Sequence, residues 1–374
     1  MMMFNHNYYS PVHDLLSMIQ GVAWGFYPDF VTSNGFSNQL PSFYYHEVNE
    51  TEFNQQLMYL RRNKYTTLTT DDCYQVTTSS QALDPRWIIL TFDDGLDDLY
   101  HVAYPLLKKY GLKGVAFIIP KWIGHKGMVT WKQVVEMHES GVIDFQSHSL
   151  QHASIFTSNE IIGLFDGMSH GKPWDAPVVR KNEADQVLGI SEIGAPIYRF
   201  ASRMSDSPRY YPDVEFDERL KEAIKSRCGD DFHKSKATRR VVSSVINSVA
   251  HSRIGRDNFE SKEEQIDSIK KELILSKKII EQNLPGKCVS HFAFPWSQTG
   301  ELALELMPRC GYKSAYTGLL TKNSPGGNKS QTSQDFRSFN RVNSDFIYCL
   351  PGKDRQPFVR ILLQKMIRRV RPGS

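Results

Sequence analysis

The chain has 374 residues, 40% hydrophobic and 23% charged, with a formal net charge of +4 from 45 basic and 41 acidic side chains. That charged fraction excludes a disordered or fibrous chain, and the near-neutral balance argues against a dedicated nucleic-acid binder. No stretch approaches the ~18 consecutive apolar residues of a transmembrane helix, and the length suits one α/β barrel with insertions.

Residues 1–40 are aromatic-rich and irregular and read as an N-terminal extension. Residues 1–60 carry the acids Asp14, Asp29, Glu47, Glu50 and Glu52 but no Lys or Arg. The basic start of a secretory signal is therefore missing, and a cytoplasmic setting is expected. From Pro41 a strand-then-helix alternation begins, with a strand over Ser42–Val48 and a helix over Glu52–Arg62. Arg86–Phe92 (RWIILTF) is a continuous apolar run, as in a strand buried on both faces. A helix over Leu99–Tyr110 ends at Gly111, a strand covers Gly114–Ile119, and a helix opens at Thr130. A strand over Val142–Gln146 follows Gly141. Later come a charged periodic helix (Glu263–Gln282), a strand (Val289–Phe294), a helix (Glu301–Cys310) and a strand (Lys313–Thr317). This alternation indicates parallel strands flanked by helices.

Residues 153–260 break the rhythm with HGKPW, PRYYPD and CGDDF clusters, and a stretch this long is an inserted subdomain rather than a bare loop. Its Trp174, Tyr198, Arg199, Arg209, Tyr210 and Tyr211 either offer flat faces and donors to a sugar or form the subdomain's own core. The expected organisation is an extension over 1–40, a barrel over 41–350 interrupted by a cap over 153–260, and a basic helix over 351–374. Ser324–Ser333 is a polar loop. The five cysteines are scattered without a CxxC, which favours a reducing compartment over a disulfide framework.

Segment 353–371 sets seven bases against the single acid Asp354. On a helical wheel Phe358, Val359, Leu362, Leu363, Met366, Ile367 and Val370 share one side. Arg360, Lys365, Arg368, Arg369 and Arg371 take most of the other, with Ile361 among them. Such a helix either lies on an anionic membrane surface through 355–371 or docks on the body with its basic face in water.

Four motifs fall at the ends of the expected strands, where barrel active sites are built. In Thr91-Phe92-Asp93-Asp94-Gly95 the two carboxylates would point to opposite faces of a regular strand, but Gly95 permits a sharp turn that lets both address one site. The competing reading is an acid-rich helix N-terminus. In His148-Ser149-Leu150-Gln151-His152 the histidines at i and i+4 share one face of a helical turn, suiting one metal; otherwise they are a surface pair. With an Asp they form a constellation that serves catalytic zinc, and also the facial triad of non-haem iron. Phe294-Pro295-Trp296-Ser297 holds a rigid turn that aims the Trp296 N–H, or is a buried aromatic strand end. His46, in Tyr44-Tyr45-His46-Glu47-Val48, is an acid catalyst or a core histidine.

Together, TFDDG and an HSxxH about 55 residues later resemble the polysaccharide deacetylase family, carbohydrate esterase family 4, from about Pro41 to Asn343. The resemblance implies a hydrolase with a distorted (β/α)7 barrel, here carrying a large inserted subdomain. It also implies a divalent metal, usually zinc, held by Asp94, His148 and His152, with Asp93 as general base. The motif order resembles members with a circularly permuted barrel, in which a YHxV-like first strand supplies the catalytic acid, here His46. The AFPWS segment resembles the family's YPYG turn, with the Trp296 N–H after Pro295 at the oxyanion and Ser297 in place of the usual glycine. The RxP arginine is absent, Ala293 standing two before Pro295. Arg341, in Asn340-Arg341-Val342, resembles a later arginine that orients the base.

The expected activity is metal-dependent removal of the N-acetyl group from an acetylated sugar or glycan, in cytoplasmic polysaccharide or lipopolysaccharide assembly. Alternatives are hydrolysis of an O-acetyl ester or another small amide, or a non-catalytic carbohydrate-binding assembly protein.

Overall fold

The structure, a computed structural model, describes residues 27–33, 40–79, 82–165, 178–181, 187–189, 194–228, 244–246, 248, 258–318 and 335–370. Strand β1 (Ser42–Tyr45) leads into helix α1 (Glu50–Arg62), strand β2 (Thr66–Thr67), α2 (Thr70–Thr78) and β3 (Trp87–Asp94). Next come α3 (Tyr104–Tyr110), β4 (Gly114–Ile118), α4 (Trp131–Glu139) and β5 (Ile143–Ser147). Strands β6 (Ser154–Leu164), β7 (Val178–Lys181), β8 (Val187–Gly189), β9 (Pro196–Ser202) and β10 (Tyr210–Tyr211) precede α5 (Val214–Cys228) and β11 (Asn258–Phe259). The remaining elements are α6 (Lys262–Asn283), β12 (His291–Ala293), α7 (Glu301–Arg309), β13 (Ser314–Gly318), β14 (Arg337–Asn343) and α8 (Phe358–Val370).

Local chemistry sets the helix starts. Asn49 accepts from the Glu52 N–H to cap α1, and reciprocal capping boxes join Thr69 to Asp72 and Thr130 to Gln133. The expected strand over Ser42–Val48 stops at Tyr45, and the Val48 N–H donates to Asp98 at 2.6 Å instead of to a ladder. The expected helix over Leu99–Tyr110 opens as a π-helical stretch, Leu99–Ala103, before Pro105 enters the first turn of α3, where its missing N–H costs nothing. Sequence reasoning did not anticipate β2, α2 or β14.

The described residues divide into two compact units, one running from His152 to Ile269 and one built from residues 27–151 and from Lys270 onward. In the latter, seven strands pair in parallel in the order β1-β14-β13-β12-β5-β4-β3. β1 also pairs with β3, matching Tyr45 to Phe92, so the ring closes into a distorted (β/α)7 barrel. A closed parallel ring buries its strands on both faces, and every residue of β4 and every residue of β3 after Trp87 is buried. Ile89, Val115, Phe117, Ala293 and Tyr316 share one core cluster, where Phe117→Ala would cost about 3–5 kcal/mol.

The His152–Ile269 unit explains the broken rhythm, since its ladders β6–β9, β7–β8 and β10–β11 are antiparallel pairs. Phe156, Ile197, Tyr198 and Tyr210 form one small core, and Leu164, Phe216, Leu220, Ile224 and Val245 another. The sugar-facing reading of Tyr198 and Tyr210 is thereby corrected: both are buried as the unit's own core. Arg199 pairs with Glu160, and the Arg209 guanidinium lies 5.4 Å from the Tyr211 ring centroid. Trp174, the Ser324–Ser333 loop and most of the 1–40 extension lie outside the described residues.

Candidate active site

Alternation along β3 sends Thr91 and Asp93 to one face. Arg341 of β14 meets both there. Its Nη1 donates to Asp93 Oδ1 at 2.6 Å and to Thr91 Oγ1 at 3.0 Å, and its Nη2 donates to Asp93 Oδ2 at 2.9 Å. The Thr91 hydroxyl donates onward to the Phe43 carbonyl at 2.8 Å. The guanidinium also sits 5.6 Å from the Tyr44 ring and 5.4 Å from the Phe117 ring, within cation–π range. Burial pushes the Asp93 carboxyl up, but Arg341, His148 and His46 outweigh it and hold the group well below the usual carboxylate range.

The next residue leaves the strand geometry. Asp94 has φ 71° and Gly95 φ 90°, both left-handed, so the adjacent carboxylates escape the opposite-face rule at the turn that Gly95 was expected to permit. A side chain at Gly95 would also crowd Ile118 Cγ2 at 3.1 Å and Ile123 Cδ1 at 3.2 Å. Ladder register then brings His148 alongside, because Asp94 is level with Ile118 and Ile118 with Ser147. The His148 N–H donates to the Ile118 carbonyl at 2.9 Å. Its Nδ1–H donates to the Ala293 carbonyl at 2.8 Å, which leaves Nε2 as the lone-pair nitrogen, 3.6 Å from Asp94 Oδ1. Burial lowers the His148 pKa against the pull of Asp93 and Asp94, favouring the neutral imidazole that a metal needs.

The expected helical turn from His148 to His152 is not formed. Ser149 (φ 66°) and His152 (φ 56°) are left-handed, and the segment is a loop. Helix α6 holds this loop from outside the motif. Glu272 Oε2 accepts from the Leu150 N–H at 3.0 Å and the Gln151 N–H at 3.3 Å, and Oε1 accepts from Gln151 Nε2 at 2.9 Å. Ser276 Oγ donates to the Ser149 carbonyl at 3.1 Å. Asp94, His148 and His152 are all buried, and each offers a donor atom within 4.8 Å of the others. One carboxylate and two imidazoles so disposed fit a divalent cation, with coordination positions left over.

The other sequence candidates fall at the same strand ends. His46 follows β1, is exposed, and sets its ring edge-on to Tyr44 at 5.5 Å. Pro295 is buried and begins a 3₁₀ turn after β12, in which Trp296 (φ 49°) and Ser297 (φ 57°) are both left-handed. Ser297 thus holds a glycine-like conformation without being glycine, and its Oγ accepts from the Gly318 N–H at 2.8 Å. Thr91, Glu272 and Ser276 were missed by sequence reasoning. Thr91 lies two residues before Asp93 on the same strand face, which is a usable signal. Glu272 and Ser276 lie on the same helical stripe as the buried Ile269, Leu273 and Ile280, so a carboxylate on an otherwise apolar face is the signal that could have marked Glu272.

Residues 80–162, which carry Asp93, Asp94, His148 and His152, match the family model described as Polysaccharide deacetylase. The chain is 36% identical over 164 residues to "Putative polysaccharide deacetylase YxkH" of Bacillus subtilis (strain 168), covering 39% of this chain and 58% of that protein. It is 28% identical over 126 residues to a poly-beta-1,6-N-acetyl-D-glucosamine N-deacetylase of Staphylococcus epidermidis, covering 32% of this chain and 42% of that one. The chain thus spans about half the length of these curated relatives. The solved structure of IcaB from Ammonifex degensii aligns with a TM-score of 0.48 and 16% identity, over 86% of this chain and 98% of that chain. The segment that bears the buried Asp-Asp and His-His pairs is thus similar to the polysaccharide deacetylase family.

Proposed function

We propose that the chain hydrolyses the N-acetyl group of an acetylated sugar or glycan, using a divalent metal, most simply zinc, held by Asp94, His148 and His152. One observation carries this reading: a buried Asp-His-His donor set stands beside a second carboxylate, Asp93, that is clamped by its own arginine. Amide hydrolysis needs a nucleophile, a sink for oxyanion charge and a proton for the leaving amine. When bound, the metal supplies a Lewis acid for the acetyl carbonyl and lowers the pKa of water from 15.7 towards ~7.

The remaining work falls to the chain. Asp93 takes the proton of the attacking water, and the two-pronged Arg341 contact keeps its carboxylate ionised and in one orientation. The left-handed turn at Trp296 and Ser297 sets the direction of the Trp296 N–H, which donates to the developing oxyanion, a contribution of about 3 kcal/mol. His46, exposed beyond β1, delivers a proton to the departing amine. Base and acid each supply roughly 10²–10⁴-fold.

The test is acetate release from N-acetylglucosamine oligomers by chelator-treated protein, with and without added zinc. Release restored by metal supports the reading. Release indifferent to chelation removes the metal from it, and release from O-acetyl esters alone replaces the amide with an ester.

A further inference from the structure

A surface helix normally buries its apolar side and shows its polar side to water. On α8 the assignment is partly reversed. Ile361, the residue that falls among the bases on the wheel, is 1% exposed, whereas Val359, Leu363 and Ile367 are 61%, 52% and 58% exposed. Spaced at i, i+4 and i+8, these three form one stripe running about 12 Å along the helix. The body grips the helix elsewhere. Phe358 stacks on Phe346 at 5.8 Å, and Lys365 Nζ reaches Asn343 Oδ1 at 2.9 Å and Asp345 Oδ2 at 2.8 Å. The apolar stripe is therefore not what docks α8. It faces outward.

We propose that α8 seats the protein on an anionic lipid bilayer surface through Val359, Leu363 and Ile367. Charge favours this occupant, since segment 353–371 sets seven bases against one acid and Arg360 is exposed beside the stripe. Met58 of α1, also exposed, lines the same groove as Ile367. Of the acids lining that groove, Asp345 is paired with Lys365 and Asp354 with Arg62. A protein partner would need an interface of roughly 20–30 residues a side, far more than this strip supplies. An interfacial helix needs only a shallow apolar face dipping ~5–10 Å into the headgroup boundary, with bases beside it. Among the described residues no helix is long and apolar enough to cross a membrane, so the contact is one of lying on the surface.

Co-sedimentation of the full chain with phosphatidylcholine vesicles, with or without about 30% phosphatidylglycerol, tests the proposal. The protein should pellet with the anionic vesicles and stay in solution with the neutral ones. Leu363→Glu/Ile367→Glu changes two exposed side chains, so its melting temperature should hold while vesicle binding falls about tenfold or more. Arg360→Glu should weaken binding to a smaller degree. The proposal is overturned if the wild-type chain ignores anionic vesicles, if the double variant binds as well as wild type, or if the stripe closes a dimer that the double variant separates.

Discussion

Arg341 and Asp93 face each other through two near-parallel hydrogen bonds of 2.6 and 2.9 Å, and each side chain is almost wholly buried. Neither charge is stable there alone. Arg341→Met should therefore cost about 3–5 kcal/mol in urea unfolding, because it strands a buried carboxylate. Arg341→Lys keeps the charge but loses the fork, so it should recover part of the stability and little of the acetate release. Wild-type stability in Arg341→Met would mean that the pair is not the buried clamp described above.

The adjacent carboxylates should separate by function. Asp94→Asn is expected to lose bound metal, whereas Asp93→Asn should retain it and lose most of kcat, because coordination and proton transfer need different partners. Metal content after dialysis, read alongside acetate release, distinguishes the two. Equal metal loss in both variants would mean that Asp93 also coordinates.

Glu272 lies outside every motif yet holds the loop between the two histidines. Burial raises its pKa despite hydrogen bonds from Gln151 and Leu150 that act the other way, so the loop is fastened at a cost. Glu272→Ala should reduce metal affinity by about 10–100-fold, the usual effect of losing a group that supports ligands. Glu272→Gln keeps one acceptor and should fall between. A zinc competition titration measures both, and unchanged affinity in Glu272→Ala would show that His148 and His152 hold their places without it.

How much was legible in the sequence follows from where each signal is stored. β3 and β4 could be read because a strand buried on both faces must be a continuous apolar run. β14 could not, since RSFNRVN buries only Arg341 and Val342 and shows no apolar pattern. The HSxxH spacing marked two residues that the fold does bring beside Asp94, but for a wrong local reason. The histidines converge through a loop with two left-handed residues, held by α6, not through a helical turn. Local periodicity does not name the partner in a contact between distant segments, such as Glu272 with Leu150. Tyr198 and Tyr210 show the same limit in reverse, since a sugar-binding aromatic and a core aromatic look alike until burial is known.

At the opposite, N-terminal end of the barrel strands, His291 Nε2 meets Asp71 Oδ1 at 3.1 Å, and its Nδ1 meets Ser314 Oγ at 2.7 Å. The hydrogen bond from His291 lowers the Asp71 pKa below its ordinary value. A depressed carboxyl pKa gives stability that is fully present above the unfolded value of about 3.9 and is lost as pH falls through the folded value. Asp71 is half exposed, so water screens the interaction and the effect is small. Asp71→Asn should be slightly less stable than wild type at neutral pH, and the gap should close on acidification below about pH 4. A constant gap from neutral to acid pH would mean that Asp71 contributes by packing alone.

His46 offers the sharpest test of the chemistry. The β1–β3 register pairs Tyr45 with Phe92, so His46 follows level with Asp93, and the two are close enough for the imidazole to lower the carboxyl pKa. Its ring stands edge-on to Tyr44, which in turn lies beneath the Arg341 guanidinium, so one aromatic links the arginine to the histidine. Because His46 is exposed, His46→Ala should leave the melting temperature and the metal content as they are. A proton donor matters most when the leaving group is a poor one. Release from an N-acetyl amide should thus fall about 10²-fold or more, while an activated aryl acetate, which leaves without a proton, should change little. Equal losses on both substrates would make His46 a positioning group, and no loss on either would move the acid to another residue.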